Sequence, residues 1–472
     1  MTESLSDIGV VGLGVMGHNL ALNIADQGFG VRVFNRTDSV TKEFMGRVQP
    51  QQQVQSAESL EALLKGLKSP RRILMMVSAG KAVDAVLDEL KPSLVSGDIV
   101  IDGSNSHYTD TDRRAQSLSE EGVRYLGVGI SGGEEGARKG PSLMPGGPKD
   151  AYEAVRPIFE AVAARADGRA CVGYLGPGSA GHYVKMVHNG IEYAFMQLIA
   201  ESYGLLKTAL GLDNDLIAEV YSHWQEVELA SYLMEITARI FLRRDEETGG
   251  SLIDLIQGAA GQKGTGMWAS QSAMDLGVPV PNIDVAVSMR NLSALQEERR
   301  VARKYLARKG HSPRVTGKVK AVRAALYSAM ILSYAQGFAL LQRASKEYGY
   351  GLDLSEVASL WRGGCIIRSA LLQDLLGVFA RKPDLPNPLL TRALGKAVAS
   401  RRKGLSEAVS MGVDGGVPVP GLAAALSYID AYRAEWLPTN LIQAQRDFFG
   451  AHTYRRVDRE GVFHTDWTAE SD

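Results

Sequence analysis

The sequence predicts an α/β domain built on a parallel sheet, followed by a large all-helical domain with an internal duplication and a short C-terminal tail. Three observations carry this. Short apolar β-type runs alternate with helical stretches from residue 8 to about residue 130, helical periodicity dominates from Pro177 to about 435, and two stretches of that second region resemble each other.

The β-type runs are IGVVGL from residue 8, VRVFN from 31, RILMMV from 72, DIVIDG from 98 and VRYLGVGI from 123. Nearly continuous apolar strands spaced by helices imply a parallel sheet covered on both faces. PSLMPGGP (141–148) and LGPGSAGH (175–182) bracket a last α/β piece. The boundary is placed at Pro177, which gives domains at 1–177 and 178–435 and a tail at 436–472. In the helical region, long stretches such as 316–348 stand out, and YGLLKTALGLDNDLIAEVYSHW (203–224) resembles FALLQRASKEYGYGLDLSEVASLW (338–361). The shared Leu-Leu pair, Gly-Leu-Asp turn and E-V-x-S-x-W ending read as a duplicated helical unit.

A chain of 472 residues with 45% hydrophobic and 22% charged residues is ordinary for a globular protein that buries a core without staples. Its net charge of -1 leaves no electrostatic footprint for nucleic acid or an anionic membrane. Cys171 and Cys365 have no metal-site spacing and read as buried thiols. The N-terminus lacks a basic stretch followed by an apolar one, and no apolar run approaches the ~18 residues that span a bilayer, so a cytoplasmic location is expected.

VVGLGVMG sets Gly12, Gly14 and Gly17 in a G-x-G-x-x-G pattern, with Leu13, Val15 and Met16 between them, after one expected strand and before a helix. Such glycines allow a tight turn, close approach of backbone to a pyrophosphate and close helix packing, while the helix N-terminus attracts phosphate. This predicts a Rossmann-type dinucleotide site. The next strand ends in Asn35, Arg36 and Thr37 where an NAD enzyme usually carries an acid for the ribose 2'-hydroxyl. A guanidinium and neutral donors suit a 2'-phosphate, so NADP is the expected cofactor.

KMVHNGIEY (185–193) is the second concentration of chemistry. Lys185, His188, Asn189 and Glu192 recur at i, i+3, i+4 and i+7 and share one helical stripe, opposite Met186, Val187, Ile191, Ala194, Phe195 and Leu198. A plain solvated face is the bland expectation, yet His and Asn are poor choices for one. Other polar loops follow expected strands or sit among glycines: Asn105 in DGSNSHY, Ser131, Gly132 and Gly133 in GISGGEEGA, and Lys263 with Thr265 in GQKGTGMW. Strand-end loops of open α/β sheets face the ligand crevice, and consecutive backbone N–H groups or a lysine in a glycine-rich loop can hold an anion.

Through GLGVMGHNL, FNRT, SGGEEGARKGPSLMPGG, KMVHNGIEY, GQKGTG, LWRGGCIIRS and LPTNLIQAQRDFFGAHTY, the chain resembles the decarboxylating 6-phosphogluconate dehydrogenases of the pentose phosphate pathway nearly end to end. The resemblance implies a homodimer in which the C-terminal tail of one subunit reaches the active site of its partner. It implies that Lys185 is the base at the 3-hydroxyl and Glu192 the acid that protonates C1. Asn105, Ser131, Gly132, Gly133, His188 and Asn189 would contact the sugar acid, Tyr193, Lys263, Arg290 and Arg446 its phosphate, and His452 the sugar. The loop Val77, Ser78, Ala79 and again Asn105 would lie beside NADP. The expected intermediate, a β-keto acid, expels CO2 into its own ketone, so no metal is expected. Alternatives are a related dehydrogenase for another anionic sugar acid, such as a 6-sulfonate, and a non-catalytic NADP-binding regulator. The chain departs from the family pattern at Ser78, Ser104, Met267 and the pair Ala194 and Phe195.

Overall fold

A computed structural model describes residues 4–306 and 318–468. Seven strands make one sheet: β1 Ile8–Val11, β2 Val31–Phe34, β3 Val54–Ser56, β4 Arg72–Met75, β5 Ile99–Asp102, β6 Arg124–Ser131 and β7 Ser142–Gly146. Their order is β3-β2-β1-β4-β5-β6-β7, parallel from β3 to β6. The order reverses direction between β1 and β4, which opens a crevice at the carboxyl ends of those strands, where open α/β sheets bind ligands. All five expected runs contain a strand.

The purely parallel sheet needs a correction. β7 runs antiparallel to β6, with Pro145 opposite Val128. Proline lacks a donor and is tolerated because β7 ends the sheet; the segment after it covers that edge, with Leu143 N donating to Cys171 O (3.0 Å) and Leu175 N to Pro145 O (2.9 Å). β3 was missed because VQS is too short to show alternation.

Both faces of the sheet are covered. Ile8 and Val10 face Leu20 and Ile24 of helix Val15–Asp26 and Val155 and Phe159 of helix Lys149–Val162. Val11, Ile73 and Met75 face Leu63, Val83, Leu87 and Leu118 on the other side. This two-sided burial is why the strands read as continuous apolar runs.

The rest is helical, and one succession of elements occurs twice. The long helix Ala180–Gly204, continued by a π-helical turn Leu205–Ala209, leads through a Gly-Leu-Asp turn to helix Asn214–Gln225. Helix Val319–Glu347 leads likewise to helix Leu354–Leu360; of the expected stretch, residues 316 and 317 lie outside the described residues. In each copy the turn's aspartate caps the shorter helix, Asp213 accepting from Leu216 N (2.9 Å) and Asp353 from Ser355 N (2.8 Å). Trp224 and Trp361 follow, both buried.

Helix Val319–Glu347 also corrects an expectation, because it is long and apolar enough by composition to cross a membrane. Scattered Ser, Tyr and Gln hide it from a search for unbroken apolar runs. In the fold 89% of its most apolar window is buried against other helices, so it is a core element.

The chain forms two compact units, Met1–Ala425 and Leu426–Asp472. In the second, helix Thr439–Gly450 is followed by an antiparallel pairing of Tyr454 with Phe463. Asp447 is its hub. The carboxylate accepts from Thr453 N (2.9 Å), His464 Nδ1 (2.9 Å), Thr465 N (3.1 Å) and Trp467 Nε1 (2.9 Å). Loss of water pushes this carboxyl up, but the bonds from His464, Trp467, Thr465 and Thr453 together outweigh that and hold it at about 2. A depressed acid contributes stability that is complete above its unfolded value of about 3.9 and disappears as pH falls through the folded one. The amides of Thr453 and Thr465 should therefore stay protected from hydrogen exchange at pH 5 and lose protection as pH falls towards 2; Asp447→Asn should expose them already at pH 5.

Candidate active site

The glycine fingerprint behaves as its spacing implies. Gly12 has φ +97°, and a Cβ there would meet the Met76 carbonyl at 2.6 Å. A Cβ on Gly17 would stand 2.0 Å from the Gly12 carbonyl, whereas one on Gly14 would meet nothing within 4 Å. Thus Gly12 and Gly17 close the turn against the sheet, and Gly14 leaves open space where a pyrophosphate fits at the helix N-terminus. Gly17→Ala has a backbone atom in its way, so it should cost about 1–3 kcal/mol of stability and weaken NADP binding, measurable by thermal unfolding and by titration.

Asn35 serves the loop. Its Oδ1 accepts from Leu13 N (3.0 Å) and its Nδ2 donates to Thr37 O (3.2 Å). Arg36 and Thr37 are exposed beside it, and they are the groups left to meet a 2'-phosphate. Val77, Ser78 and Ala79 follow β4, and Asn105 follows β5. These residues fit an NADP molecule laid across the crevice.

The long helix Ala180–Gly204 starts in direct contact with the sheet. A Cβ on Gly181 would lie 2.2 Å from Met144 O and 2.3 Å from Gly127 O, and one on Gly129 would lie 2.4 Å from Lys185 Cβ. Bare backbone on both sides seats Lys185 over the end of β6. Met186, Val187, Ile191, Ala194, Phe195 and Leu198 fill the core as expected. The polar stripe is not solvated: Lys185 and Asn189 are buried, and His188 has no exposed surface.

A cavity of about 630 Å³ lies over this stripe. Of the expected residues, Met16, Asn105, Ser131, Gly132, Gly133, Lys185, Asn189, Glu192, Tyr193, Lys263 and Arg290 line it. Sequence reasoning left Ile130, Gly261, Gln262, Thr265 and Ile366 out of the site, although Thr265 was visible in its glycine-rich loop. Arg446 and His452 lie exposed in the tail unit, where Arg446 Nη1 donates to Gln443 Oε1 (3.0 Å); every lining residue comes from the first unit. A wider cleft of about 700 Å³, lined by Glu135, Lys139, Arg239 and Arg368, shares Gly132 and Ile366 with the cavity.

His188 stands behind the cavity wall. Asn189 Nδ2 donates to Thr265 Oγ1 (3.0 Å), which turns the amide oxygen to His188 Nδ1 (3.0 Å) and assigns the ring proton there. Nε2 then accepts from Ser131 Oγ (3.1 Å) and from the thiol of Cys365 (2.8 Å). Burial and the neighbouring Lys185 charge hold the imidazole well below its usual value, against the bond to Asn189, so it is neutral. Lys185 Nζ lies 3.5 Å from Nδ1.

Burial lowers the Lys185 ammonium, opposed by the charges of Glu192 and Cys365. It raises the Glu192 carboxyl, opposed by Lys185 and Arg290. The two therefore move towards neutral pH from opposite sides, as an amine base and a carboxylic acid must. Seven residues separate them, about 10.5 Å of helical rise, so they address different atoms of one ligand. At the far end Arg290 stacks on the Tyr193 ring with its guanidinium carbon 3.4 Å from the centroid, and Nη1 donates to Gly261 O (3.1 Å). With Lys263 this end suits an anion. Ala194 and Phe195 point away from it, Phe195 edge-on to Tyr334 in the core.

Two family profiles match, the NAD binding domain of 6-phosphogluconate dehydrogenase over residues 7–176 and the 6-phosphogluconate dehydrogenase C-terminal domain over residues 181–467. The chain is 52% identical to an NADP(+)-dependent, decarboxylating 6-phosphogluconate dehydrogenase of Bacillus subtilis, with 98% of this chain and 99% of that one covered. It is 49% identical to the decarboxylating 6-phosphogluconate dehydrogenase of Escherichia coli at the same coverage. The solved structure of Plasmodium falciparum 6-phosphogluconate dehydrogenase, described without ligand, with its cofactor NADP+ and with its substrate 6-phosphogluconate, superposes with a TM-score of 0.93 at 41% identity, covering 98% of this chain and 100% of that one. With both halves matched and identity near one half along its whole length, the chain belongs to the 6-phosphogluconate dehydrogenase family.

Proposed function

We propose that the chain oxidises and decarboxylates 6-phospho-D-gluconate to D-ribulose 5-phosphate and CO2, reducing NADP to NADPH. One observation carries this reading: a buried lysine and a carboxyl with opposite pKa shifts share one helix face in a single cavity, between the cofactor crevice and an Arg290, Lys263 and Tyr193 anion end. NADP, when bound, supplies the acceptor for the hydride from C3. Neutral Lys185 removes the 3-hydroxyl proton and, once protonated, stands ready to return it to the new ketone as C1 leaves as CO2. Glu192 protonates the resulting enediol at C1. Asn105, Ser131, Gly132, Gly133 and Asn189 orient the sugar acid, and His188 supports this wall from behind.

Protein mixed with 6-phosphogluconate and NADP should release NADPH and CO2 in equal amounts, followed by absorbance and a carbonate trap. Absence of both at high protein concentration overturns the reading.

The same proposal divides the chain at Pro177 and near 435 and makes it a homodimer in which the partner's tail brings Arg446 and His452 to the substrate. Support comes from the exposed apolar residues Leu441, Ile442, Phe448 and Phe449 on the tail helix, and from the cleft that joins the cavity at Gly132 and Ile366. A strictly monomeric active enzyme in sedimentation contradicts it.

A further inference from the structure

Arg114, on helix Tyr108–Ser119, has a side chain only 1% exposed. Its guanidinium is divided among three elements. Nη2 donates to the Gly80 carbonyl (3.1 Å), at the end of the loop that carries Val77, Ser78 and Ala79. Nε donates to Asp84 Oδ1 (2.8 Å) on helix Lys81–Leu90. Nη1 donates to Ser106 Oγ (3.0 Å), in the loop that carries Asn105, and stands 3.6 Å from Asp102 Oδ2. That second loop is pinned on both sides of Asn105. Ser106 Oγ donates to Asp102 Oδ2 (2.6 Å), and Ser104 N donates to Asp102 Oδ1 (2.9 Å). Ser104 and Ser106 are buried, and Asn105 between them is delivered outward into the cavity.

One planar fork therefore holds the cofactor loop and the substrate loop in a fixed relation. A buried ion pair is weak evidence for stability, and neither loop needs the other to satisfy its backbone. We propose that Arg114 is a positioning residue that couples the two loops, so that NADP seated at Val77–Gly80 orders Asn105 for the sugar acid. This rests on the reaction proposed above. Arg114→Lys keeps the cation and loses the three-way fork.

The test measures NADP+ affinity by tryptophan fluorescence, with and without 6-phosphogluconate, together with hydrogen exchange of residues 103–107. In the unaltered protein, NADP+ should protect 103–107, and each ligand should tighten the other by a factor within the roughly 5–150-fold range of coupled sites. In Arg114→Lys the protection should vanish and the factor fall to about one. Added to Asn105→Ala, the same change should cost no further substrate affinity. If Arg114→Lys fails to fold, Ser106→Ala removes one arm of the bridge with the arginine intact and should also reduce protection. Retained coupling in the folded variant, or an undiminished cost in the Asn105→Ala background, overturns the proposal. A protein that binds NADP+ and protects 103–107 but does not turn over 6-phosphogluconate refutes the reaction and leaves the loop coupling standing.

Discussion

Lys185→Met should lower kcat by about 10²–10⁴-fold, the usual contribution of a positioned general base, while NADP binding stays intact. Methionine has nearly the reach of lysine and no charge to desolvate, so the variant should fold at least as well as the parent. The seat of Lys185 over Gly129 is set by backbone, which the change leaves alone. Stopped-flow mixing with 6-phosphogluconate would then show no NADPH burst, whereas cofactor titration would match the parent. Unchanged turnover refutes Lys185 as base.

Glu192→Gln should cost about 10²-fold or more in kcat, because the amide cannot deliver a proton to C1. The pH profile is the sharper readout. The base must be neutral, so rate falls as pH drops through the lowered Lys185 value; the acid must be protonated, so rate falls as pH rises through the raised Glu192 value. Removing the carboxylate abolishes the alkaline limb. It also takes away the negative charge that had been raising Lys185, so the acid limb should move to lower pH. A residual activity with both limbs in place rules out Glu192 as the acid.

What the sequence revealed depended on how local the physics was. Gly12, Gly14 and Gly17 are tied to one turn, and Lys185 to Glu192 lie on one helix, so their periodicity announced them. Thr265 and Ile366 reach the cavity from elements far along the chain, and no spacing links them to Lys185. Cys365 read as an inert thiol, and only the fold shows its Sγ against His188. Asn35, taken as a cofactor donor, turned out to pin the Gly12 loop through Leu13. Arg114 sits among Asp110, Asp112 and Arg113 and reads as an exposed helical charge, yet the packing of that helix hides it. β3 and β7 were obscured by brevity and by an edge proline.

The glycine contacts that seat helix Ala180–Gly204 on β6 and β7 bear on engineering. Since Gly127, Gly129 and Gly181 bring main chain against main chain, the seam beside Pro177 is not a place where modules can be exchanged. Grafting the nucleotide-binding half of another dehydrogenase would have to reproduce both sides of that seam to a fraction of an ångström, or the lysine would be misplaced. Coenzyme choice in this scaffold is better redesigned at Arg36 and Thr37, which are exposed and separate from the seam.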